Sequence, residues 1–154
     1  PEVTIGKVVD YGVKDSLNMG ACMAPAAADT IERNLEDLGR EPEDYDRIIT
    51  GDLGYVGKQI LLDLLKGRGI DIKEQHMDCG IEIYDQETQD THAGGSGCGC
   101  SAAVLSALIL PNIQKGIWKN VLFVPTGALL SPVSFNEGQS VPGIAHGIVL
   151  EYCE

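Results

Sequence analysis

The chain of 154 residues is long enough for one domain with a proper core, burying about 68–70% of the surface its unfolded form exposes. With 44% apolar, 22% charged and only 5% aromatic residues, it is neither disordered, nor a coiled coil, nor a small disulfide scaffold. Asp and Glu number 23 against 11 Lys and Arg, a formal charge of -12. Such a field repels phosphate backbones and anionic lipid, which excludes nucleic acid as a partner.

Cys22, Cys79, Cys98, Cys100 and Cys153 form an odd set without a CxxC spacing, so neither a zinc site nor a disulfide framework is expected. Cys98 and Cys100 are too close to bridge without strain. The set reads as mostly buried small hydrophobes in a reducing compartment. Residues 1–10 lack a charged stretch followed by an apolar run, so no signal peptide is expected. The longest apolar stretch, residues 102–110, falls short of the ~20 residues of a membrane span. A start at Pro1 without methionine predicts a single domain over residues 1–154 that is a fragment of a longer protein.

Residues 3–11 are rich in β-branched types and end at Gly12, which predicts a first strand. Ala24, Ala28, Ile31, Leu35 and Leu38 make one apolar helical stripe, with Pro25 in the first turn and Gly39 as the stop. Residues 47–50 read as a second strand, and residues 56–66 as a second helix ended by Gly67 and Gly69. Residues 74–84 are ambiguous, with a short strand expected near 81–83. Residues 102–110, broken only by Ser106, predict a helix buried on every side and kinked or ended by Pro111. The apolar run 121–124 suits a central buried strand, and residues 148–152 a last one. The order is β-α-β-α-β-α-β-β: a layered α/β unit with a mixed five-stranded sheet and three helices. Residues 126–145 form a connection long enough to be functional or mobile.

Residues 91–136 contain no Asp or Glu, and Lys115 and Lys119 are their only formal charges. A core helix and central strand explain that; so does a pocket for an anion. Gly97-Cys-Gly99-Cys-Ser-Ala102 matches a dinucleotide pattern formally, but no strand precedes it and no acid follows to hold a ribose. There is no phosphate-binding lysine loop or nucleophile elbow, and the acidic run 85–90 lacks the glycine of a calcium loop. No cofactor and no metal site are expected.

What remains is the glycine-rich entry to the apolar helix. Gly94, Gly95 and Gly97 let a ligand approach the backbone, and a helix start favours a carboxylate or oxyanion. His92 precedes it and can donate a hydrogen bond or exchange a proton near neutral pH. Close packing of a glycine-lined helix against another backbone fits the same residues. His76 and His146 read as structural or surface residues.

The order of elements resembles one half of the thiolase superfamily fold, in which an apolar helix from each half is sandwiched between two sheets. Six runs are similar to a non-enzymatic sporulation branch of that superfamily, found in endospore-forming bacteria. They are Val8-Val-Asp-Tyr-Gly-Val-Lys-Asp15, Asn18-Met-Gly-Ala21, Met23-Ala-Pro-Ala-Ala27 and Thr50-Gly-Asp-Leu-Gly54. The others are His92-Ala-Gly-Gly-Ser-Gly-Cys-Gly-Cys-Ser-Ala102 and Pro142-Gly-Ile-Ala-His-Gly-Ile-Val-Leu-Glu151. The similarity spans essentially the whole chain. It implies a C-terminal thiolase-like half that binds dipicolinic acid (pyridine-2,6-dicarboxylate) and acts in its uptake into the developing spore.

By the same resemblance, three loops carry the polar groups: residues 50–54, 91–97 and 138–143. His92 fits the place where family enzymes carry His or Asn. Gly51, Asp52 and Leu53 stand where they carry Asn or His, and Gln139, Ser140 and Val141 where thiolases carry an acid/base cysteine. The nucleophile belongs to the other half, so the resemblance implies no catalytic residue here and no enzyme. An acyl-thioester enzyme and a scaffold with a vestigial pocket are the alternatives. His92, Gly94, Gly95 and Ser96 are expected on a ligand carboxylate, with Leu53 or Ile144 along the ring. Asp52 would bind backbone or a cation such as Ca2+ accompanying the ligand. The implied partners are the missing N-terminal half, a second copy in a homodimer, and other sporulation membrane proteins. The implied location is the forespore or spore, peripheral to the inner spore membrane.

Overall fold

The computed structural model describes residues 2–95 and 97–153. In chain order its elements are β1 (Val3–Thr4), α1 (Met19–Leu38), a 3-10 turn (Pro42–Asp44), β2 (Arg47–Thr50), α2 (Gly54–Gly67), β3 (His76–Asp78) and α3 (Cys79–Ile83). Next come α4 (Cys100–Val104), a π-helical turn (Leu105–Ile109), α5 (Leu110–Gln114), β4 (Asn120–Val124), β5 (Thr126–Ala128), α6 (Pro132–Asn136), β6 (Gly143–Ala145) and β7 (Gly147–Glu151).

Five strands form one mixed sheet in the order β1-β7-β4-β2-β3. β2 runs parallel to β3 and β4, while β7 is antiparallel to β4 and β1. The run 121–124 becomes the middle strand for a plain reason: alternate side chains enter two different cores. Leu122 and Val124 face the layer of α1 and α2 with Ile48 and Val149. Val121 and Phe123 face the layer of α4 and α5 with Ile49, Ile109 and Ile113.

Helix α1 begins earlier than its apolar stripe. Asn18 Oδ1 accepts the N–H of Ala21, which starts the helix at Met19 and leaves Pro25 inside it. Gly39 closes it in the left-handed region at φ 61°, as the stop signal predicts. At its near end Gly20 packs against α2. A methyl group there would lie 2.3 Å from the Leu53 carbonyl oxygen and 2.9 Å from the Gly57 α-carbon. Gly20→Ala is therefore expected to cost about 1–3 kcal/mol through overpacking, read as a lower urea midpoint at constant slope. A neutral result would mean that the two helices can separate freely.

Four expectations need correction. The first strand ends at Thr4 rather than reaching residue 11; beyond it the chain holds one bridge, Val9 to Gly143. The third strand is His76–Asp78, and residues 81–83 are helical, because the Asp78 carboxylate caps the N–H groups of Gly80 and Ile81. The apolar helix does not stop at Pro111. The π turn Leu105–Ile109 immediately before it widens the hydrogen-bond ladder where the proline removes a donor, and the helix continues to Gln114. Nor is it buried all round in this chain: Val104, Ile109 and Ile113 are buried, whereas Ala102, Ala103, Ser106, Ala107 and Leu110 are exposed. The long connection 126–145 folds as a two-stranded ladder, β5 with β6, around α6. All five cysteines are free, and among the described residues no helix is long and apolar enough to cross a membrane.

Candidate functional site

Parallel strands β2 and β4 both end at one edge of the sheet, and the turns that follow them converge, the usual place for a ligand in an α/β sheet. After β2 comes Gly51, whose missing side chain makes room. A methyl group there would stand 2.5 Å from Thr126 Oγ1 and 3.1 Å from Ser101 Oγ. Thr126 opens β5, directly after β4, and Ser101 lies in the first turn of α4.

The segment leading to α4 is pinned by backbone. Gly20 of α1 donates its N–H to the Ala93 carbonyl at 2.8 Å, and Val56 of α2 donates to His92 O at 2.9 Å. Gly54, at φ 65°, is the close approach that permits this, since a side chain would sit 2.5 Å from Gly94 N. Asp52, 7% exposed, turns inward and its Oδ1 accepts the N–H of Gly95 at 3.1 Å.

Between these segments lies a cavity of about 320 Å³ lined by Met19, Met23, Asp52, Gly94, Gly97, Cys98, Ser101, Thr126, Gly127 and Ala128. Among the described residues its lining holds no Lys or Arg. Thr126 Oγ1 is buried and makes no hydrogen bond among the described residues. Gly99 at the N-cap of α4 supplies no capping side chain. No group of three or more His, Cys, Asp or Glu is placed to hold a metal ion among the described residues.

Beneath the cavity Asp78 holds the site loop in place. Its carboxylate accepts the Thr50 hydroxyl at 2.7 Å and the N–H groups of Leu53 at 3.0 Å, Gly54 at 3.1 Å, Gly80 at 3.1 Å and Ile81 at 3.3 Å. Burial outweighs these donors and pushes its carboxyl up to about 6. His76 Nε2 lies 3.0 Å from Thr50 Oγ1. Since Thr50 donates its proton to Asp78, the imidazole is the donor to Thr50, and its buried Nδ1 has no partner among the described residues. Burial, with Lys58 nearby, pushes His76 down to about 3. The Cys100 thiol, at the start of α4, is pushed up to about 12 by burial and by Asp52 and Asp78, and the Cys79 thiol also moves up. Both are held as thiols, the opposite of an activated nucleophile.

The residues singled out in the sequence divide. Asp52 and Gly94 line the cavity. Gly95 stands behind it, holding Asp52 by its N–H and packed so closely on Tyr84 that a methyl would be 2.4 Å from the ring. Asp52, expected on backbone or on a cation, accepts one backbone N–H here, that of Gly95. His92 is outside the lining: its side chain is 55% exposed and Nε2 lies 3.2 Å from Asp90 Oδ1. Leu53 is sealed in the core. Ile144 pairs with Gly127 across the β5–β6 ladder and is not among the lining residues. Ser96 lies outside the described residues. The third loop, 138–143, does not reach the lining. Met19, Met23, Cys98, Ser101 and Thr126 were not anticipated as lining residues, although the quoted runs contain all of them except Thr126.

Residues 1–151 match the family model of stage V sporulation protein AD. The chain is 48% identical over 148 residues to stage V sporulation protein AD of Bacillus subtilis (strain 168), covering 96% of this chain and 44% of that protein. It thus spans less than half the length of that relative. Among solved structures, AbyA1, a tetronic acid condensing enzyme, aligns with 99% of this chain and 53% of its own at 16% identity and a TM-score of 0.47. For 3-oxoacyl-[acyl-carrier-protein] synthase III from Aquifex aeolicus VF5 the values are 95%, 51%, 14% and 0.42.

Proposed function

The chain belongs to the stage V sporulation protein AD family, and on that premise we propose that it is a sporulation protein that binds dipicolinic acid without catalysis. In this reading it acts in dipicolinate uptake into the developing spore. The observation that carries the site is the cavity at the ends of β2 and β4. It has the scale of a small-ligand pocket, and a hydroxyl that has no partner among the described residues, Thr126 Oγ1, faces glycine-lined backbone there. A flat ring fits between the thioethers of Met19 and Met23 and the glycines, and its carboxylates take the Thr126 and Ser101 hydroxyls and amides near the start of α4.

The raised thiols of Cys79 and Cys100 make neither a nucleophile in this half, and the non-catalytic reading rests on the family to which the chain belongs. We read the chain as one half of a thiolase-like pair. The exposed face of Ala102, Ala103, Ala107 and Leu110 supports that reading, as the surface the additional length of its relative would cover. A homodimer at the inner spore membrane, beside other sporulation membrane proteins, completes the proposal.

Calorimetric titration of the full-length protein with dipicolinate is the test. Thr126→Val should weaken binding about tenfold, the loss of one hydrogen bond to a charged group. His92→Ala, whose ring turns to Asp90, should leave affinity nearly unchanged. Absence of binding by the parent protein would end this reading.

A further inference from the structure

We propose that the sheet edge opposite the cavity is a contact face for a bilayer surface carrying anionic phospholipid, made by the turn Lys115-Gly-Ile-Trp-Lys119 with Arg47 and Tyr152. The proposal rests on the placement at a membrane read above and supplies a contact for it. The cavity stands at the ends of β2 and β4; this face stands at their starts, Arg47 and Asn120, beside the end of β7. Its shape begins where α5 stops. Gly116, at φ 67°, donates its N–H to Ile113 O at 2.8 Å, and Ile117 donates to Asn112 O at 2.9 Å. A left-handed stop of this kind commonly folds the next apolar residue back on its helix. Here Ile117 is 60% exposed instead. Trp118 is half-buried against the core of α4 and α5, with the Arg47 guanidinium 5.8 Å from its ring centre. Tyr152 donates its N–H to Lys119 O at 2.9 Å, and a methyl on Gly116 would lie 3.6 Å from its ring. An aliphatic tip, the rings of Trp118 and Tyr152 and the cations Lys115, Lys119 and Arg47 thus share one small surface.

The charges of this face are available to a partner. Lys115 and Lys119 are exposed, and neither is ion-paired among the described residues. Two carboxylates adjoin them, and both are engaged. Asp46 accepts the N–H groups of Lys119 at 2.6 Å and Asn120 at 2.9 Å, and Glu151 lies 3.5 Å from the Arg40 guanidinium. The formal charge of -12 opposes attraction to anionic lipid at long range. At physiological salt, however, exposed charges more than about 8 Å apart are largely screened, so the local set decides once the face is near a surface. The combination matches the layering of a bilayer surface. Tryptophan and tyrosine settle at headgroup level, an aliphatic tip reaches the acyl boundary, and lysines extend to the phosphates. An acidic protein surface would satisfy the lysines but set Ile117 against charged groups.

Flotation of the full-length protein with vesicles tests this, using phosphatidylcholine alone and phosphatidylcholine mixed with phosphatidylglycerol. Binding is expected on the mixed vesicles, much weaker on the neutral ones, and lost in about 1 M salt, where screening shortens to about 3 Å. Lys115→Ala with Lys119→Ala should lower the partition coefficient about 20-fold, each lysine being worth about fivefold near an anionic surface. Ile117→Ser should lower it about tenfold through the lost apolar contact. Lys14→Ala with Lys58→Ala, the same change of charge near the starts of α1 and α2, should leave it within about twofold. Dipicolinate affinity and urea midpoints of all these variants should match the parent's. Vesicle binding that is indifferent to phosphatidylglycerol, or equal in parent and variants, overturns this face while the membrane placement stands. No binding to either vesicle removes the lipid contact and leaves the dicarboxylate site to its own titration. A sharply lower urea midpoint for Ile117→Ser would show Ile117 covered by the rest of the full-length chain, which also overturns the proposal.

Discussion

Replacing Asp78 by alanine is expected to lower the unfolding free energy by about 3–5 kcal/mol, because a buried acceptor is withdrawn from several donors at once. The Thr50 hydroxyl and the N–H groups of Leu53, Gly54, Gly80 and Ile81 all end on this one carboxylate, which is 1% exposed. Each donor left in the interior loses a partner that water cannot replace. The loss is concentrated where β2 turns into α2 and where α3 begins, the two places that hold Asp52 and Gly80 against each other. Urea unfolding should show a markedly lower midpoint with an unchanged slope. Hydrogen exchange should quicken first at Leu53 and Gly54. Asp78→Asn keeps an acceptor oxygen and should recover part of the loss. A cost below about 1 kcal/mol for the alanine variant would mean that the loop amides find other acceptors.

Asp78 also marks where sequence reading reached its limit. The central strand was legible because four consecutive apolar residues, 121–124, have few other uses than a strand buried on both faces. The strand at 47–50 and the stop at Gly39 were legible from equally local signals. The third strand was not. His76-Met-Asp-Cys-Gly80 has neither alternation nor a β-branched residue, and its role depends on parallel pairing with Ile48, Ile49 and Thr50, nearly thirty residues away. The choice between a kink and an end at Pro111 was closed to local sequence for a related reason. A proline removes one donor, but whether the helix ends or adopts a π turn depends on packing that local sequence does not carry.

In the site, the glycine entry before α4 and the turn around Asp52 were visible as motifs. Their partners came from elsewhere: Thr126 follows a different strand, and Met19 and Met23 belong to a helix more than seventy residues upstream. His92 was a candidate because it precedes the glycine-rich entry and its ring can donate a hydrogen bond or exchange a proton near neutral pH. The carbonyl of His92, not its ring, is what the fold uses, as the acceptor for Val56 N–H.

Acid titration of the folded protein should separate His76 from Asp78, with the two working in opposite directions. For His76 the folded value of about 3 lies below its ordinary 6.5. Its neutral form therefore contributes stability that is fully present above pH 6.5 and is lost as pH falls toward 3, by up to about 1.4 kcal/mol per unit. For Asp78 the folded value of about 6 lies above its ordinary 3.8. Its contribution is fully present below pH 3.8 and is lost as pH rises through 6, so acidification across that window is stabilising by a similar amount per unit. Between pH 6 and 4 the two slopes offset, and this pair contributes a nearly level segment to the stability curve of the parent protein. Asp78→Asn removes one slope and should leave stability falling steeply through that interval. His76→Gln removes the other, and its stability should hold or rise there relative to the parent. Urea midpoints at half-unit steps from pH 7 to 4 read both curves. Thr50 ties the two groups together, its Oγ1 3.0 Å from His76 Nε2 and 2.7 Å from Asp78 Oδ2. The double variant should accordingly depart from the sum of the single ones. Curves for parent and Asp78→Asn that run parallel from pH 6 to 4 would show that Asp78 does not take up a proton there.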